Sequence, residues 1–379
     1  MLGPRPTGAE PVRPADGPLT ARDAARAAEA ELGRVLDEAL ERARATDPVF
    51  ARDIAERVTA LVLCGGKRLR TSFAWCGWRA AGGAGDLAAL LRTGAALELV
   101  QACALIHDDV MDDSALRRGA PSVHVELARM HESGHMTGPP GAFAASAAVL
   151  AGDLALVWAD DLLTETALGS PHGPRLHREW QEMRGEMVAG QYRDLHAQAT
   201  GALAVEDAVT IATLKSALYT VGRPLALGGI LADADASVLE ALRSAGRCAG
   251  LAFQLRDDII GAFGDPDLTG KPAGDDLRTR KPTYLLAAGA RLADALGDRE
   301  SANILVPGEP PGPGTVRLMR AALERIGARA AVEAEITQLA DASLRHFART
   351  GAEPTVRREF EALVERAAGL APRRAGEAA

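Results

Sequence analysis

The sequence predicts an all-α protein built as a single large helical bundle with a central cavity. Alanine-rich segments with apolar residues at helical spacing dominate its 379 residues, of which only 4% are aromatic. Runs of β-branched residues, which favour strands, are few. Breaks rich in glycine and proline fall at 131–141, 169–174 and 307–314, and we interpret them as loops between helices.

The chain is predicted to form one domain. No linker divides it into halves, so we expect the domain to cover residues 20–371. Residues 1–19 are rich in proline and glycine and predict a disordered leader, and residues 372–379 predict a loose tail. No run of about twenty apolar residues is evident, so we expect no membrane anchor.

Composition excludes some partners and indicates a compartment. The net charge is −8 and no basic stripe is present, which argues against nucleic acid as a partner. The four cysteines lie in apolar or helical settings without Cys-x-x-Cys spacing. Unpaired thiols of this kind are typical of a reducing compartment, so we expect a cytoplasmic protein.

The first of two aspartate clusters ends a strongly apolar segment. Residues 97–107 place apolar side chains at helical spacing up to Asp108, Asp109 and Asp112. On a helix, Asp108 and Asp112 lie one turn apart on the same face. Carboxylates are costly to hold against a hydrophobic interior unless cations gather them, so the cluster indicates a cation site.

The second cluster, Asp257 and Asp258, follows another apolar helical segment, with Gln254 one turn earlier. If the two helices face each other, the carboxylates of both clusters converge. Oxygen-only ligands suit Mg²⁺, which shares its coordination shell with substrate phosphates. An isolated Asp-Asp-x-x-Asp run is more often a solvated helix face, but the basic residues around these clusters argue against that interpretation.

Two basic segments flank the first cluster. Arg117 and Arg118 follow it in a turn-forming sequence, and a glycine pair precedes Lys67, Arg68 and Arg70. Either segment alone is also explained as a helix cap with a solvated charge run. Together with the acids they predict a pocket for two polyanions, one bound through metal and one bound directly by Arg and Lys.

In the order and spacing of these motifs, the chain resembles the trans-isoprenyl diphosphate synthases, also called polyprenyl synthetases, over most of its length. The matching elements are 65–70, 108–112 with 117–119, 152–153, 190–191, 215–216, 253–254 with 257–258, and 270–281. So many elements in one order are more specific than any single motif. The resemblance implies the isoprenoid synthase fold and a homodimer.

The resemblance also implies a reaction. Metal-assisted ionisation of an allylic diphosphate would give an allylic cation, to which isopentenyl diphosphate adds head-to-tail (1'-4). Loss of a proton, with the departed diphosphate as a plausible base, would leave an all-trans prenyl diphosphate. No catalytic histidine is required, and His107 is interpreted as a packed residue beside the acids.

Site residues follow from the resemblance, position by position. Three Mg²⁺ per active site are implied. Their ligands are Asp108, Asp109, Asp112, Asp257 and Asp258. The other catalytic residues implied are Arg117, Lys215, Gln254 and Lys271. The metal-free subsite for isopentenyl diphosphate is implied to consist of Lys67, Arg70, Gln101 and Arg118.

Some matches carry less weight than the aspartate clusters. Gln101 lies in an apolar helix, where a lone glutamine is often only a satisfied polar group. Lys215 also fits a surface position, although the motifs on both sides favour its functional role. Asp265 and Asp276 suit turn-forming loop carboxylates equally well. Gly261 stands where the fullest family pattern has a third aspartate, which removes one possible metal ligand.

Product length is expected to depend on residues one or two turns before the first cluster. In the resembling family the growing chain passes these positions, which here are Val100, Cys103 and Ala104. A bulky aromatic residue at 103 or 104 would stop the chain at fifteen carbons, so the small residues favour geranylgeranyl diphosphate, with twenty. Small residues equally permit close helix packing, with Trp158 or another large side chain as the floor.

Alternatives stay open at this point. Within the family, these are a farnesyl or a longer-chain polyprenyl diphosphate synthase. A class I terpene cyclase also ionises an allylic diphosphate, but it typically carries an Asn/Ser/Glu metal motif in place of the second cluster. A non-catalytic partner subunit of the same fold tends to lose one cluster, whereas both are present here.

Overall fold

The computed structural model describes residues 18–264, 274–306 and 312–372. Most of the predicted leader (1–19) and tail (372–379) therefore lies outside the described residues, as do Asp265, Lys271 and most of the break at 307–314.

The described chain is almost entirely helical, which confirms the all-α prediction. The helices before the first aspartate cluster and the one that carries it are α1 (Ala21–Thr46), α2 (Pro48–Phe50), α3 (Glu56–Leu63), α4 (Leu69–Ala80) and α5 (Leu87–Met111). A hairpin of β1 (Leu116–Arg117) and β2 (Ala120–Pro121) follows. The helices up to the second cluster are α6 (Val123–Ser133), α7 (Pro140–Leu168), α8 (Gly173–Thr200), α9 (Val205–Ile211), α10 (Arg223–Leu231) and α11 (Ala236–Phe263).

The remaining helices are α12 (Asp275–Arg278), α13 (Tyr284–Leu296), α14 (Arg299–Leu305), α15 (Pro313–Arg325), α16 (Ala328–Ala348) and α17 (Pro354–Ala368). Two segments are π-helical: Ala51–Ala55 and Ala212–Gly222, the second of which we call the π segment. π-Helical turns are rare in proteins, and those that occur are often found at functional sites.

Packing brings the two cluster-bearing helices into one core. Helix α5 packs on α7, while the π segment packs against both α8 and α11. Helix α11 is backed by α16, and α10 lies on α4. The aspartate clusters thus sit at the carboxyl-terminal ends of two long central helices.

Two helices, α5 and α7, are long and apolar enough to cross a membrane by length and composition alone. The sequence analysis expected no apolar stretch of that length. Both helices reach it because their many alanines add to the mean hydropathy. In α5, 72% of the apolar window is buried inside the protein, as in the core helix of a globular bundle, whereas in α7 the share is 44%.

An aromatic stack fixes the last helix of the described chain. The rings of Phe347 and Phe360 lie parallel, with centroids 3.8 Å apart, and Phe73 meets Phe360 edge-on at 6.1 Å. All three side chains are fully buried. They join α4, α16 and α17 into one layer.

Replacing Phe360 by alanine should lower the free energy of unfolding by about 3–5 kcal/mol, because it removes a buried ring from a packed layer. Urea denaturation followed by circular dichroism measures this. Leu318→Ala, at a side chain that is 58% exposed, is the control and should change it by less than about 0.5 kcal/mol. An equal effect of the two variants would mean that the stack does not secure α17.

Candidate active site

The first aspartate cluster occupies the last turn of α5. The carboxyl-terminal end of a helix carries partial negative charge, so acids there are unfavourable without nearby cations. Asp109 is buried, and Asp108 and Asp112 are each about one-fifth to one-quarter exposed at the side chain. The fold therefore has to bring cations to this end.

Two lysines meet the cluster and share a buried counter-ion. Lys215, from the π segment, lies 3.0 Å from Asp108 and 2.6 Å from Asp194 of α8. Lys281, between α12 and α13, lies 2.8 Å from Asp112 and 3.7 Å from the same Asp194 oxygen. Asp194 is buried and also accepts a hydrogen bond from Gln198. A single carboxylate thus holds both ammonium groups in front of α5.

The pKa values follow from this arrangement. Burial favours the neutral form of Asp108, but Lys215 and Lys281 outweigh it and lower the pKa of Asp108 to about 2. Burial also opposes the charge on Lys281, yet Asp194 and Asp112 raise its pKa. Asp108 and Lys281 are therefore both charged at neutral pH.

The hairpin after α5 brings an arginine to the cluster. Arg118 and Gly119 at its tip both have positive φ, which is the backbone of a two-residue type I′ turn. The turn folds Arg117 back onto Asp109, to which it donates hydrogen bonds of 3.0 and 3.2 Å from Nε and a shorter one from Nη2. Both oxygens of Asp109 are thereby engaged by one guanidinium fork. Arg118 points away and donates to the carbonyl oxygen of Gly65.

Close helix contact places Lys215. A Cβ atom on Gly190 of α8 would lie 2.6 Å from the Cα of Lys215, so no larger residue fits there without displacing the π segment. Asp194 is one turn after Gly190 and therefore emerges on the same face, towards Lys215. The Gly190-Gln191 match in the sequence is thus explained by packing as well as by chemistry.

The second cluster divides into an exposed and a buried acid. Asp257 is exposed, whereas Asp258 is buried and accepts hydrogen bonds from Gln254 (2.9 Å) and from the backbone N–H of Tyr284 (3.0 Å). Burial raises the pKa of Asp258 to about 8. Gln254 therefore contacts Asp258 directly, and Asp258 links α11 to the start of α13.

The predicted diphosphate subsite is brought together in part. Gln101 and Arg118 line a cavity of about 10 Å³ together with Arg68 and Glu98, and Lys67 nearby in the chain is exposed. Arg68 lies 3.0 Å from the buried Glu98, which anchors the loop before α4. A larger cavity, of about 280 Å³, lies between Glu186 and other residues of α8, the π segment, α10 and α11, and none of the aspartates lines it.

Arg70 is placed differently from Arg118. Its side chain is buried, its guanidinium carbon lies 4.2 Å from the centre of the Tyr219 ring, and it donates to Thr220 at 3.1 Å. Among the described residues, its Nε has no hydrogen-bond partner. A buried donor without a partner is unfavourable, and here the surrounding protein covers the atom almost completely.

The predicted floor lies along α5 beneath the acids. Val100 and Cys103 are buried and Ala104 is half-buried. Cys103 Sγ lies 3.7 Å from Nδ1 of His107, whose Nε2 is 3.1 Å from the carbonyl oxygen of Val149 on α7. His107 is thus packed between α5 and α7, as its interpretation from sequence expected.

The first cluster offers carboxylate oxygens, which are the ligands that a hard divalent ion prefers. In the described part of the chain, no group of three or more His, Cys, Asp or Glu side chains is close enough to hold a metal ion. The ammonium groups of Lys215 and Lys281 instead form ion pairs with Asp108 and Asp112, whose negative charge requires a nearby cation. Carboxylates one turn apart that already hold cations have the chemistry that Mg²⁺ uses.

Sequence reasoning gave no site role to Asp194 or Lys281, and it named Arg68 in a basic segment without predicting its pair with Glu98. Asp194 and Lys281 fall within or beside motifs that the resemblance covers, but their pairing depends on contacts between distant helices. The spacing of Asp194 one turn after Gly190 was the available signal, since a close-contact glycine marks the face that meets a neighbour. Lys271 lies outside the described residues, and its role stays a prediction.

Asp194→Asn should lower the free energy of unfolding by about 3 kcal/mol in metal-free buffer, because two ammonium groups lose a buried counter-ion. Denaturant unfolding measures this. The control is Asp207→Asn, which breaks the exposed pair of Asp207 with Arg193 and should change the value by less than about 1 kcal/mol. If Asp194→Asn matches the control, Asp194 does not organise the lysines.

Comparison with known proteins bears on this site. The family described as polyprenyl synthetase matches residues 52–307. A geranylgeranyl diphosphate synthase of Mycobacterium tuberculosis (strain ATCC 25618 / H37Rv) is 34% identical over 279 residues, which are 68% of this chain and 73% of that protein. A geranylfarnesyl diphosphate synthase of Aeropyrum pernix is 30% identical over 250 residues, 65% of this chain and 72% of that protein.

A solved structure agrees in fold and sequence. It is the crystal structure of a geranylgeranyl pyrophosphate synthase from Corynebacterium glutamicum, complexed with isoprenyl diphosphate and magnesium. It is 36% identical, with a TM-score of 0.84, and the match covers 90% of this chain and 98% of that chain. The chain therefore belongs to the polyprenyl synthetase family and is a trans-prenyltransferase.

Proposed function

We propose that this enzyme adds isopentenyl diphosphate to allylic diphosphates and releases geranylgeranyl diphosphate as its main product. The observation that carries the proposal is the set of cations and carboxylates at the end of α5, where Lys215 and Lys281 meet Asp108 and Asp112 over the buried Asp194. Such a set binds and stabilises a departing diphosphate.

Asp108, Asp112 and Asp257 are the residues best placed to hold Mg²⁺. Both oxygens of Asp109 and of Asp258 accept hydrogen bonds from protein donors, whereas Asp108 and Asp112 each accept one from a lysine through a single oxygen. When bound, the metal ions would neutralise the diphosphate and make it a better leaving group. Asp109 would act by holding Arg117, and Asp258 by fixing α11 to α13. The number of ions, three in the sequence-based expectation, belongs to this proposal.

Lys215 and Lys281 contribute through the charge they carry. Their ammonium groups are held by Asp194, so they stay beside the cluster when Asp108 and Asp112 turn to other cations. From there they donate to the oxygens of the diphosphate as charge builds up on it. The allylic C1–O bond breaks, C1 bonds to C4 of isopentenyl diphosphate, and a proton from C2 of that substrate passes to the departed diphosphate.

The second substrate is proposed to lie against the loop before α4 and the tip of the hairpin. Arg118 and Gln101 line the small cavity there, and Lys67 is exposed nearby. Arg70 belongs to the same basic segment, but its guanidinium lies against Tyr219 and Thr220. Burial and the neighbouring Arg68 lower the pKa of Arg118, so an anion placed here would relieve their repulsion.

Incubation of the purified protein with Mg²⁺, isopentenyl diphosphate and each of the five-, ten-, fifteen- and twenty-carbon allylic diphosphates tests the proposal. Chromatography of the dephosphorylated products should show a twenty-carbon alcohol from the shorter starters. A fifteen-carbon or longer alcohol would keep the reaction and correct the product. If isopentenyl diphosphate remains unchanged with every starter, the proposal fails. A terpene cyclase or a partner subunit then becomes the better interpretation.

We also propose a homodimer in the cytoplasm. Helices α7 and α8 are in contact and carry exposed apolar side chains, namely Val149, Leu150, Val157, Val188 and Tyr192. Contiguous exposed apolar side chains mark interaction surfaces. The four unpaired cysteines support a reducing compartment.

Ala104→Phe should shorten the main product from twenty to fifteen carbons, because the aromatic ring would fill the path of the growing chain below Asp108. Product chromatography measures the shift. Ala88→Phe, at an exposed position of the same helix, is the matched control and should leave the product unchanged. An unchanged product from Ala104→Phe would place the floor elsewhere, with Trp158 as the next position to test.

Leu150→Arg combined with Val157→Asp should convert a dimer into a monomer, since both residues project from the exposed face of α7. Light scattering coupled to size-exclusion chromatography gives the mass. Leu318→Arg, at an exposed leucine of α15, should leave the mass unchanged. A dimer that survives the double substitution must use another surface.

A further inference from the structure

Arg280 ends helix α12 in a backbone conformation that arginine rarely adopts. The backbone N–H of Arg280 donates to the carbonyl oxygen of Leu277 at 3.3 Å, and that of Lys281 donates to the carbonyl oxygen of Asp276 at 2.9 Å. These two bonds define a Schellman motif, in which the residue at the position of Arg280 is usually glycine. Its φ here is +50°, so the Cβ atom of Arg280 has a steric cost.

The guanidinium of Arg280 fixes this turn to a neighbouring helix. Its Nη1 donates to the carbonyl oxygens of Ile304, at 3.1 Å, and of Val306, both at the carboxyl-terminal end of α14. Carbonyl groups at a helix end lack partners within the helix and carry partial negative charge, so a cation stabilises them. This contact offsets the cost of the left-handed backbone.

The turn delivers two groups to the active site. Lys281 directly follows Arg280, and its ammonium lies 2.8 Å from Asp112 and 3.7 Å from Asp194. Further along the same connection, the backbone N–H of Tyr284 donates to Asp258 at 3.0 Å. Because a change in φ at residue 280 would rotate the chain that follows, both contacts depend on its left-handed backbone.

Other arginines next to proposed site residues share this conformation. Six non-glycine residues of the described chain have positive φ, and three of them are Asp113, His135 and Asp233, of types that adopt it more readily. The other three are the arginines Arg68, Arg118 and Arg280. Their respective neighbours in the sequence are Lys67, Arg117 and Lys281. The conformation therefore coincides with the cations of the site, as is common for strained backbone at functional positions.

We propose that Arg280 is a positioning residue for prenyl transfer. Its left-handed backbone directs Lys281 towards Asp112 and Asp194, and its guanidinium offsets the cost of that conformation by binding the end of α14. The inference rests on the proposed role of Lys281 at the departing diphosphate. The alternative is that Arg280 only caps α14 and contributes to stability alone.

Steady-state kinetics of two substitutions at residue 280 separate these interpretations. The full-length protein is assayed with Mg²⁺, isopentenyl diphosphate and the allylic diphosphate that the wild type uses. Arg280→Ala removes the guanidinium and disfavours positive φ, so kcat should fall about tenfold or more as Lys281 is displaced. Arg280→Gly also lacks the guanidinium but adopts positive φ without strain, so kcat should stay within about threefold of the wild type.

A double-substitution cycle tests whether Arg280 acts through Lys281. Lys281→Gln removes the ammonium group that the turn positions. In that background, Arg280→Ala should lower kcat by less than about twofold, because residues that act through one another are not additive. If the two residues acted independently, the tenfold effect would be retained.

Arg325→Ala is the matched control. Arg325 binds the other end of the same helix α14, where it donates to Ser301 at 2.8 Å. Its loss removes an arginine contact to α14 without touching the turn that carries Lys281, so kcat should equal that of the wild type. Thermal unfolding of each variant shows that it is folded at the assay temperature and reports any change in stability.

Equal kcat in Arg280→Ala and the wild type would overturn the proposal. A folded Arg280→Gly protein with kcat reduced about tenfold would also overturn it, whether or not Arg280→Ala folds, since the left-handed backbone is then not what Arg280 supplies. An undiminished effect of Arg280→Ala in the Lys281→Gln background has the same meaning. Failure of the proposed function looks different, because the wild-type protein would then leave isopentenyl diphosphate unchanged with every starter.

Discussion

Charge balance at the end of α5 is the constraint on which the site depends. Asp108, Asp109 and Asp112 lie at a helix end that already carries negative partial charge, partly or fully removed from water. Three other elements must each deliver a cation there: the hairpin, the π segment and the segment after α12. The positions of those elements relative to α5 follow from this demand.

In the proposed function, the buried Asp194 allows the ion pairs between the α5 carboxylates and the two lysines to rearrange. Because it pairs with both Lys215 and Lys281, Asp194 can keep the two ammonium groups in place without the α5 carboxylates. In the proposed function, the carboxylates exchange ammonium groups for metal ions, while the lysines stay on Asp194 and contact the diphosphate. Gly190 makes this possible, since it lets α8 approach the π segment closely enough for the pairing.

The sequence predicts the parts of the site that depend on residue type and short spacing. Asp108 and Asp112 share a face because of helix periodicity, and Arg117 returns to Asp109 because the next two residues form a tight turn. The parts of the site that were not predicted depend on contacts between helices that are far apart in the sequence. Asp258 faces the backbone of Tyr284 instead of open space, and Asp194 becomes a shared counter-ion only because α8, the π segment and Lys281 converge. The apolar length of α7 was also missed, because alanines obscure a long apolar run.

A crystal structure of the protein with Mg²⁺ and a non-ionisable allylic diphosphate analogue tests the central claim most directly. The account predicts that Asp108, Asp112 and Asp257 carry oxygens about 2.1 Å from magnesium. It also predicts that Lys215 and Lys281 remain on Asp194 and contact the diphosphate. A structure in which both lysines stay on Asp108 and Asp112, with the diphosphate bound elsewhere, would contradict it.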